Sequence, residues 1–515
     1  MPGLAALWGR AGVSGTLPVV TGPRRDSDTN VGSWLSSHAA GRPEHPAVVV
    51  EASGERISYA ELNGQANRVA RALADLGVER GDRVALALQS EPLYLAIYFA
   101  AAKLGAISVP LNTRLAPPEL DFQIGDCAPR VAIRAAGVEV PERAGTQLLI
   151  ADELRAALPA TAAEPELAPG GESPQTILYT SGTTGVPKGA VLPHRKTLYN
   201  TLNAESYLGL SSSDVVVVPV PLFHSFGLKI LAVPTLFAGA TIVLVDRFDP
   251  GGLQECVDRY QGTLLGGVPV MYRRMVESGL RPRRLKSLRF AFGAGAPLDV
   301  ETIQRFAEVG VVLAQGYGQT ETSILCCLAA RDSIRHAGSV GRAVGHCELR
   351  IANERGATVA PGVEGEILVR GPIVMLGYWR RPEETEAAGS DGWHRTGDLG
   401  VMDAEGFVTL VGRRNELFIS GGENVYPAEV ERVLEQHGNV SEVAVVGVRD
   451  ERWGETGRAY VVPVLRPLDV EELRAWARQR LAGYKVPSEV VIVDELPRTA
   501  SGKVQKHALL ETGAG

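Results

Sequence analysis

The run "TSGTTGVPK" occupies positions 180–188 and offers hydroxyls at Thr180, Ser181, Thr183 and Thr184, glycines at Gly182 and Gly185, and a cation at Lys188. It contains little that could build a core. Gly182 and Gly185 let the backbone turn tightly and expose its amides. Successive N–H groups in such a turn form an anion nest. Hydroxyl donors and a lysine charge complete a set that fits a polyphosphate. The spacing is G-x-x-G-x-x-K, which differs from the G-x-x-x-x-G-K-[ST] of nucleoside triphosphatases. The same composition also fits an ordinary surface loop. Other residues of reactive type have plain readings too. Asp398 in "RTGDLG" suits an Asx-turn, Arg413 a surface ion pair, Lys503 in "SGK" a solvated lysine, and His224 between Phe223 and Phe226 a core histidine.

The elements that must carry these residues are α/β in order. In "ISYAELNGQANRVARALADLGVERGDRVALAL", Ser58 can cap a helix with Glu61 three residues on. Leu62, Ala66, Val69, Leu73 and Leu76 follow at helical spacing, Gly77 stops the helix, and Val84–Leu88 reads as a buried strand. "ATIVLV" (240–245) and "GVVLAQGYG" (310–318) continue the alternation. Mixed or parallel sheets with helices on both faces are expected, in a large multi-sheet N-terminal domain. "TILYTSGTTGVPKG" is a short apolar strand opening into the hydroxyl-rich loop. Near residue 412 the texture changes. A helix, "SEVAVVGV", "AYVVPVL", a helix from Val470 and "EVVIVDEL" suggest a small α+β C-terminal domain of about a hundred residues. The expected division is a flexible leader 1–29, a domain 30–412, a hinge 413–422 and a lid domain 423–515.

Composition narrows the function classes. The 515 residues exceed one ordinary core. A net charge of −7 without a basic stripe argues against a nucleic-acid partner. Cys127, Cys256, Cys326, Cys327 and Cys347 are odd in number and show no ligand-like spacing, which fits reduced thiols and a cytoplasmic location. "LYLAIYFAAAKLGAISVPLN", from Leu93, is broken by Lys103 and Gly105 and is too short to span a bilayer. It reads as a buried helix followed by a strand. The first thirty residues lack the pattern of a secretion signal.

"YTSGTTGVPKGAVLPH" resembles the signature of the adenylate-forming superfamily, which includes acyl-CoA synthetases. "PLFHSFG", "GAGAPL", "GYGQTE", "GEILVRGP", "GYW", "WHRTGDLG", "VGRRNELFISGGENVYPAEVE" and "LPRTASGKVQK" follow in that family's order, from about Asn30 to Lys506. The resemblance implies activation of a carboxylic acid by Mg-ATP as acyl-AMP, then displacement of AMP by a thiol. It implies that Thr180, Ser181, Gly182, Thr183, Thr184 and Lys188 hold the β- and γ-phosphates, and that Thr184 and Glu321 help to hold Mg²⁺. Gly295, Ala296 and Pro297, with Gln315, Gly316, Tyr317 and Gly318, match the adenine pocket, and Thr320 the α-phosphate contact. Asp398 matches the ribose-binding carboxylate and Arg413 the arginine beside it. Lys503 matches the catalytic lysine, whose charge would stabilise the transition state.

One position departs from the pattern. The hinge, usually Asp or Lys, is Asn415 here. Asn tolerates unusual backbone angles, but it brings no charge to a state-specific ion pair. His224 stands where amino-acid-activating relatives carry an aspartate, which argues against an α-amino acid. His224, Phe223, Phe226, Leu228, Val268 and Ile324 suggest largely apolar walls. Gly266, Gly267, Gly293, Ala294 and Gly295 suggest volume, so a bulky or long apolar acid is expected, whether aliphatic, aromatic or polycyclic. Coenzyme A is the expected thiol, with Gly421 and Gly422 along the pantetheine arm and Trp453, Tyr484 and Lys485 toward the nucleotide. A free-standing ligase that loads a carrier protein, and a non-catalytic nucleotide-binding protein, are the alternatives. A homodimer is compatible with the sequence.

Overall fold

The helix predicted after Ser58 is present in the computed structural model as Tyr59–Asp75. Ser58 Oγ accepts from the Glu61 N–H, and the Glu61 carboxylate accepts from the Ser58 N–H, so both halves of the capping box form. Gly77 follows at φ +76°, a conformation that glycine adopts without strain. The apolar stretch from Leu93 is the buried helix Pro92–Leu104 and the strand Ile107–Pro110. Its entirely buried face explains why no amphipathic period marks it. The structure describes residues 28–181, 186–296, 298–329, 332, 333, 335, 336, 338–413, 416–420, 423–450, 453–481, 483–498 and 503–512. The expected leader therefore lies outside the described residues except at its last two positions, where Thr29 is already buried. Among the described residues, no helix is long and apolar enough to cross a membrane.

The chain divides into two compact units. One runs to Leu349 and takes in Val369–His394; the other comprises Arg350–Leu368 and the chain from Arg395 onward. The first unit contains two sheets with helices, the α/β class expected. Its nine-stranded sheet runs in the order Arg342–Ala343, Ser323–Leu328, Leu313–Gln319, Phe290–Ala294, Leu264–Gly267, Val215–Val218, Thr241–Leu244, Pro46–Val50, Arg56–Ser58. The interior pairs are parallel and the edges antiparallel. Strands such as "VVVV" and "TIVL" are apolar throughout because such a sheet is covered on both faces. One face packs Val217, Val243, Leu265, Ala291 and Leu313 against Tyr272, Met275 and Phe306. The seven-stranded sheet carries the strands Pro174–Ser181 and Pro187–Pro193 beside Ile107–Pro110.

In the second unit, the strand Trp393–Met402, from Arg395 on, pairs antiparallel with Val408–Arg413. A further sheet joins Phe418–Ser420, Glu423–Val425, Val440–Asp450, Gly454–Pro463 and Glu489–Ile492. The helices Pro427–Leu434 and Val470–Arg478 bury Val430, Leu434 and Leu473 against Val445, Ala459 and Val461. Asp469 caps the latter helix by accepting from the Glu471 and Glu472 N–H groups.

Candidate active site

The phosphate-type loop joins two antiparallel strands that place Thr180 opposite Lys188. Its tip, Gly182, Thr183, Thr184 and Gly185, lies outside the described residues, as does the Ser181 side chain. The strand ends converge on Glu321. The Thr180 hydroxyl donates to Glu321 Oε1 at 3.3 Å, and the Tyr378 hydroxyl donates to the same oxygen at 3.0 Å. The Lys188 ammonium stands 5.6 Å from the Tyr378 ring centre. Burial, reinforced by the Glu321 charge, holds the Tyr378 phenol above its ordinary pKa and keeps it a donor. Sequence reasoning assigned Tyr378 no role, although "GYW" was the signal that held it.

Local geometry aims Glu321. The strands Leu313–Gln319 and Ser323–Leu328 form a tight hairpin with Glu321 in its turn. Ser323 takes φ +61°. A side chain at Gly318 would strike the Ser323 carbonyl, so the close approach requires glycine. The Met375 N–H donates to the Glu321 carbonyl at 2.8 Å and fixes the turn from the other side. Glu321 is 8% exposed, and its surroundings supply oxygen donors, the chemistry a hard cation prefers. Beside it, Lys196 is fully buried and donates to Ser323 Oγ at 2.5 Å. Burial pulls its pKa down to about 7, opposed by Glu321 and assisted by Arg195. Sequence reasoning missed Lys196 because it follows the signature and carries the pattern of a helix start.

The residues expected at adenine lie on adjacent strands. Gln315 Oε1 accepts from the Leu298 N–H at 2.7 Å and closes the loop that follows Ala294. Gly295 sits in that loop at φ +95° beside the exposed Ala296; Pro297 lies outside the described residues. Gly316 and Tyr317 pair with Cys327 and Cys326, and Thr320 is half-buried in the Glu321 turn.

The acid-pocket expectation needs a correction. A Cβ on Gly267 would meet the Tyr272 ring at 3.1 Å, and one on Gly293 would meet Leu298 at 2.8 Å. Tyr272 and Leu298 belong to the main core. A side chain at either glycine would therefore point at the core, on the sheet face opposite Phe292. Gly293→Leu is accordingly expected to destabilise the fold by about 1–3 kcal/mol through over-packing. A lowered urea midpoint at constant slope would register it; an unchanged midpoint with an altered acid-size preference would contradict it. His224 is half-buried with its ring 4.6 Å from Phe223. Phe226 opens the π-helical turn Phe226–Ala232, and its ring lies 6.1 Å from Phe292. Ala294 and Ile324 are buried, and Val268 is half-buried.

In the second unit, Asp398 is 6% exposed and its carboxylate takes an ion pair from Arg413 Nε at 3.0 Å. Strand register brings the two together, since they are directly opposite. Lys503 is exposed, three residues before Lys506. Lys506 is held by Glu416 and Glu431, each at 2.9 Å. Burial opposes that charge, but the two carboxylates outweigh it and raise the Lys506 pKa. Asn415, Gly421 and Gly422 lie outside the described residues. Trp453 is 41% exposed and lines a cleft of about 130 Å³ with Tyr484, Arg474 and Arg478. Lys485 is held by both oxygens of Glu429 at 2.7 Å, so the expected open cation there is paired. The two arginines lie one turn apart on their helix, and both pair with Glu471, at 2.9 and 3.9 Å.

The family model described as AMP-binding enzyme matches residues 35–379, and the AMP-binding enzyme C-terminal domain matches residues 429–503. The chain belongs to the AMP-binding enzyme family. Within it, the chain is 40% identical to a feruloyl-CoA synthase of Amycolatopsis sp over 485 residues, 92% of this chain and 97% of that protein. It is 41% identical to an indoleacetate–CoA ligase of Aromatoleum aromaticum over 500 residues, 92% and 96% respectively. A solved o-succinylbenzoate CoA synthetase from Bacillus subtilis, in complex with its acyl-adenylate intermediate, superimposes with a TM-score of 0.85 at 34% identity, covering 93% of this chain and 97% of that one. The α/β architecture with a smaller second unit is that of this AMP-binding family.

Proposed function

We propose that this AMP-binding enzyme is an ATP-dependent acyl-CoA ligase. A carboxylate oxygen of the acid attacks the α-phosphorus of ATP, and the bond to pyrophosphate breaks. The thiol sulfur of coenzyme A then attacks the acyl carbon of acyl-AMP; the bond to AMP breaks and the thiol proton is lost. The observation that carries the reading is the convergence of Thr180 and Tyr378 on the nearly buried Glu321, with the Lys188 ammonium over the Tyr378 ring. The names of the relatives as CoA synthases and ligases support the acceptor.

The residues divide the work. Thr180 and Lys188, with the loop Ser181–Thr184, hold the terminal phosphates. Glu321 and Thr184 hold Mg²⁺, and Tyr378 fixes the Glu321 carboxylate. Mg²⁺ supplies positive charge against the phosphate oxygens when bound. Asp398 accepts the ribose hydroxyls, Arg413 orients Asp398, and Lys503 stabilises charge that develops at the α-phosphate. Trp453 and Tyr484 meet coenzyme A with Gly421 and Gly422. Asn415 serves as the hinge of segment 413–422. The five free thiols fit a cytoplasmic location.

Purified chain with ATP, Mg²⁺, coenzyme A and a panel of acids tests the reading. AMP and acyl-CoA should appear in equal amounts and only with an acid present. Absence of AMP with every acid would contradict the activity. Thioester formed on a carrier protein, and not on coenzyme A, would contradict the acceptor.

A further inference from the structure

The helix His194–Leu208 carries polar residues on a buried face. Lys196, Asn200, Asn203 and Tyr207 recur at i, i+4, i+7 and i+11, which places them in one stripe. Asn200 and Asn203 are each 2% exposed. Lys196 faces Ser323, next to the Glu321 turn. At the other end, the Tyr207 ring stacks on Phe292 at 5.4 Å and 25°, and Phe292 neighbours Phe226.

Three atoms of this stripe are buried and without a hydrogen-bond partner among the described residues: Asn200 Oδ1, Asn203 Nδ2 and Tyr207 Oη. The amide orientations follow from their other contacts. Asn200 Nδ2 donates to the Lys229 carbonyl at 2.6 Å, which leaves its oxygen as an open acceptor. Asn203 Oδ1 accepts from the His346 N–H at 3.0 Å, which leaves its amide as an open donor. Burying three such groups unpaired costs stability unless a bound molecule satisfies them. An alkyl chain lying against the stripe would leave all three unsatisfied. The neighbouring rings favour an aromatic body.

We propose that Asn200, Asn203 and Tyr207, with Phe226 and Phe292, select the acid. The acid they select is an aromatic carboxylate whose ring carries a hydrogen-bonding substituent such as a hydroxyl, ether or ring N–H. This rests on the acyl-CoA ligase reading and narrows the aliphatic, aromatic or polycyclic acid expected from sequence to a polar-substituted aromatic one. The substituted ring lies toward the Asn203 and Tyr207 end of the stripe, beside Phe292 and Phe226.

The test compares acids of one skeleton with and without the polar group: cinnamate against 4-hydroxycinnamate, phenylacetate against 4-hydroxyphenylacetate, and benzothiophene-3-acetate against indole-3-acetate, with decanoate as the aliphatic control. The readout is kcat/KM from acid-dependent AMP release by the full chain. At least one substituted aromatic acid should exceed both its parent and decanoate by about tenfold or more, the worth of one well-placed hydrogen bond or more. Tyr207→Phe, which preserves ring volume, should draw the substituted-to-parent ratio toward one. Asn203→Asp, which keeps the acceptor for His346 and removes the donor, should shift the same ratio, with the KM for ATP reporting whether the nucleotide site is intact. Decanoate or the parent acids used as well as every substituted acid would overturn the proposal. So would variants that lower all acids by the same factor. AMP release with no acid at all would overturn the ligase reading itself, and this proposal with it.

Discussion

Lys503→Ala is expected to slow acyl-AMP formation by about 10³-fold or more while ATP binding changes little, because its charge acts on the developing α-phosphate charge and not on the ground state. Reaction of preformed acyl-AMP with coenzyme A should be affected far less. The two half-reactions can be separated by single-turnover mixing. Lys503 is exposed but lies close in sequence to a fixed point: Lys506, three residues on, is held by Glu416 and Glu431. That anchor limits the freedom of the segment carrying Lys503, so loss of its charge is the main change that the substitution introduces. An equal fall in both half-reactions would show that Lys503 is not an adenylation residue.

Asp398→Ala is the second substitution with a large expected effect. Asp398 is nearly buried and already charge-paired to Arg413 at 3.0 Å. Its carboxylate is therefore held in one orientation before any ligand arrives, which is the condition for strong acceptance of two hydroxyls. Each charge-assisted hydrogen bond contributes about 1.5–3 kcal/mol, so kcat/KM for ATP should fall by about 10²–10⁴-fold. Parent enzyme should discriminate strongly against 2′-deoxy- and 3′-deoxy-ATP, and the variant should discriminate weakly. Undiminished discrimination in the variant would place the ribose elsewhere. Asp398→Asn tests the charge alone, since it keeps the shape and one acceptor.

Much of the fold was legible because local chemistry and burial agree. Ser58 and Glu61 specify one helix start, and the all-apolar strands of the nine-stranded sheet specify burial on both faces. Glu321 was legible only through the resemblance carried by "GYGQTE"; the tight hairpin with glycine at 318 that delivers it to Thr180, across 141 positions of sequence, was not. What could not be read was direction. Gly267 and Gly293 looked like space, but which face of a strand a missing side chain belongs to depends on register with Tyr272 and Leu298. Lys485 looked like an open cation, but Glu429 on a helix 56 residues earlier neutralises it. The stripe Lys196–Tyr207 was hidden because polar residues at helical spacing normally mark a solvated face. Here the helix is packed on that side, so the same pattern marks buried polar groups that need partners. In each case the missing information was tertiary packing, which spacing along one segment does not carry.

The proposed activity requires formation of a bond between the acid's carboxylate oxygen and the α-phosphorus of ATP. The direct test uses an acid labelled with ¹⁸O in both carboxyl oxygens, turned over with ATP, Mg²⁺ and coenzyme A, with the phosphorus products analysed by mass spectrometry. Attack at the α-phosphorus followed by cleavage of the acyl C–O bond predicts one ¹⁸O in AMP, none in pyrophosphate and one retained in the acyl-CoA. Label in inorganic phosphate accompanied by ADP, or AMP formed without label, would contradict an acyl-AMP intermediate and with it the assigned function.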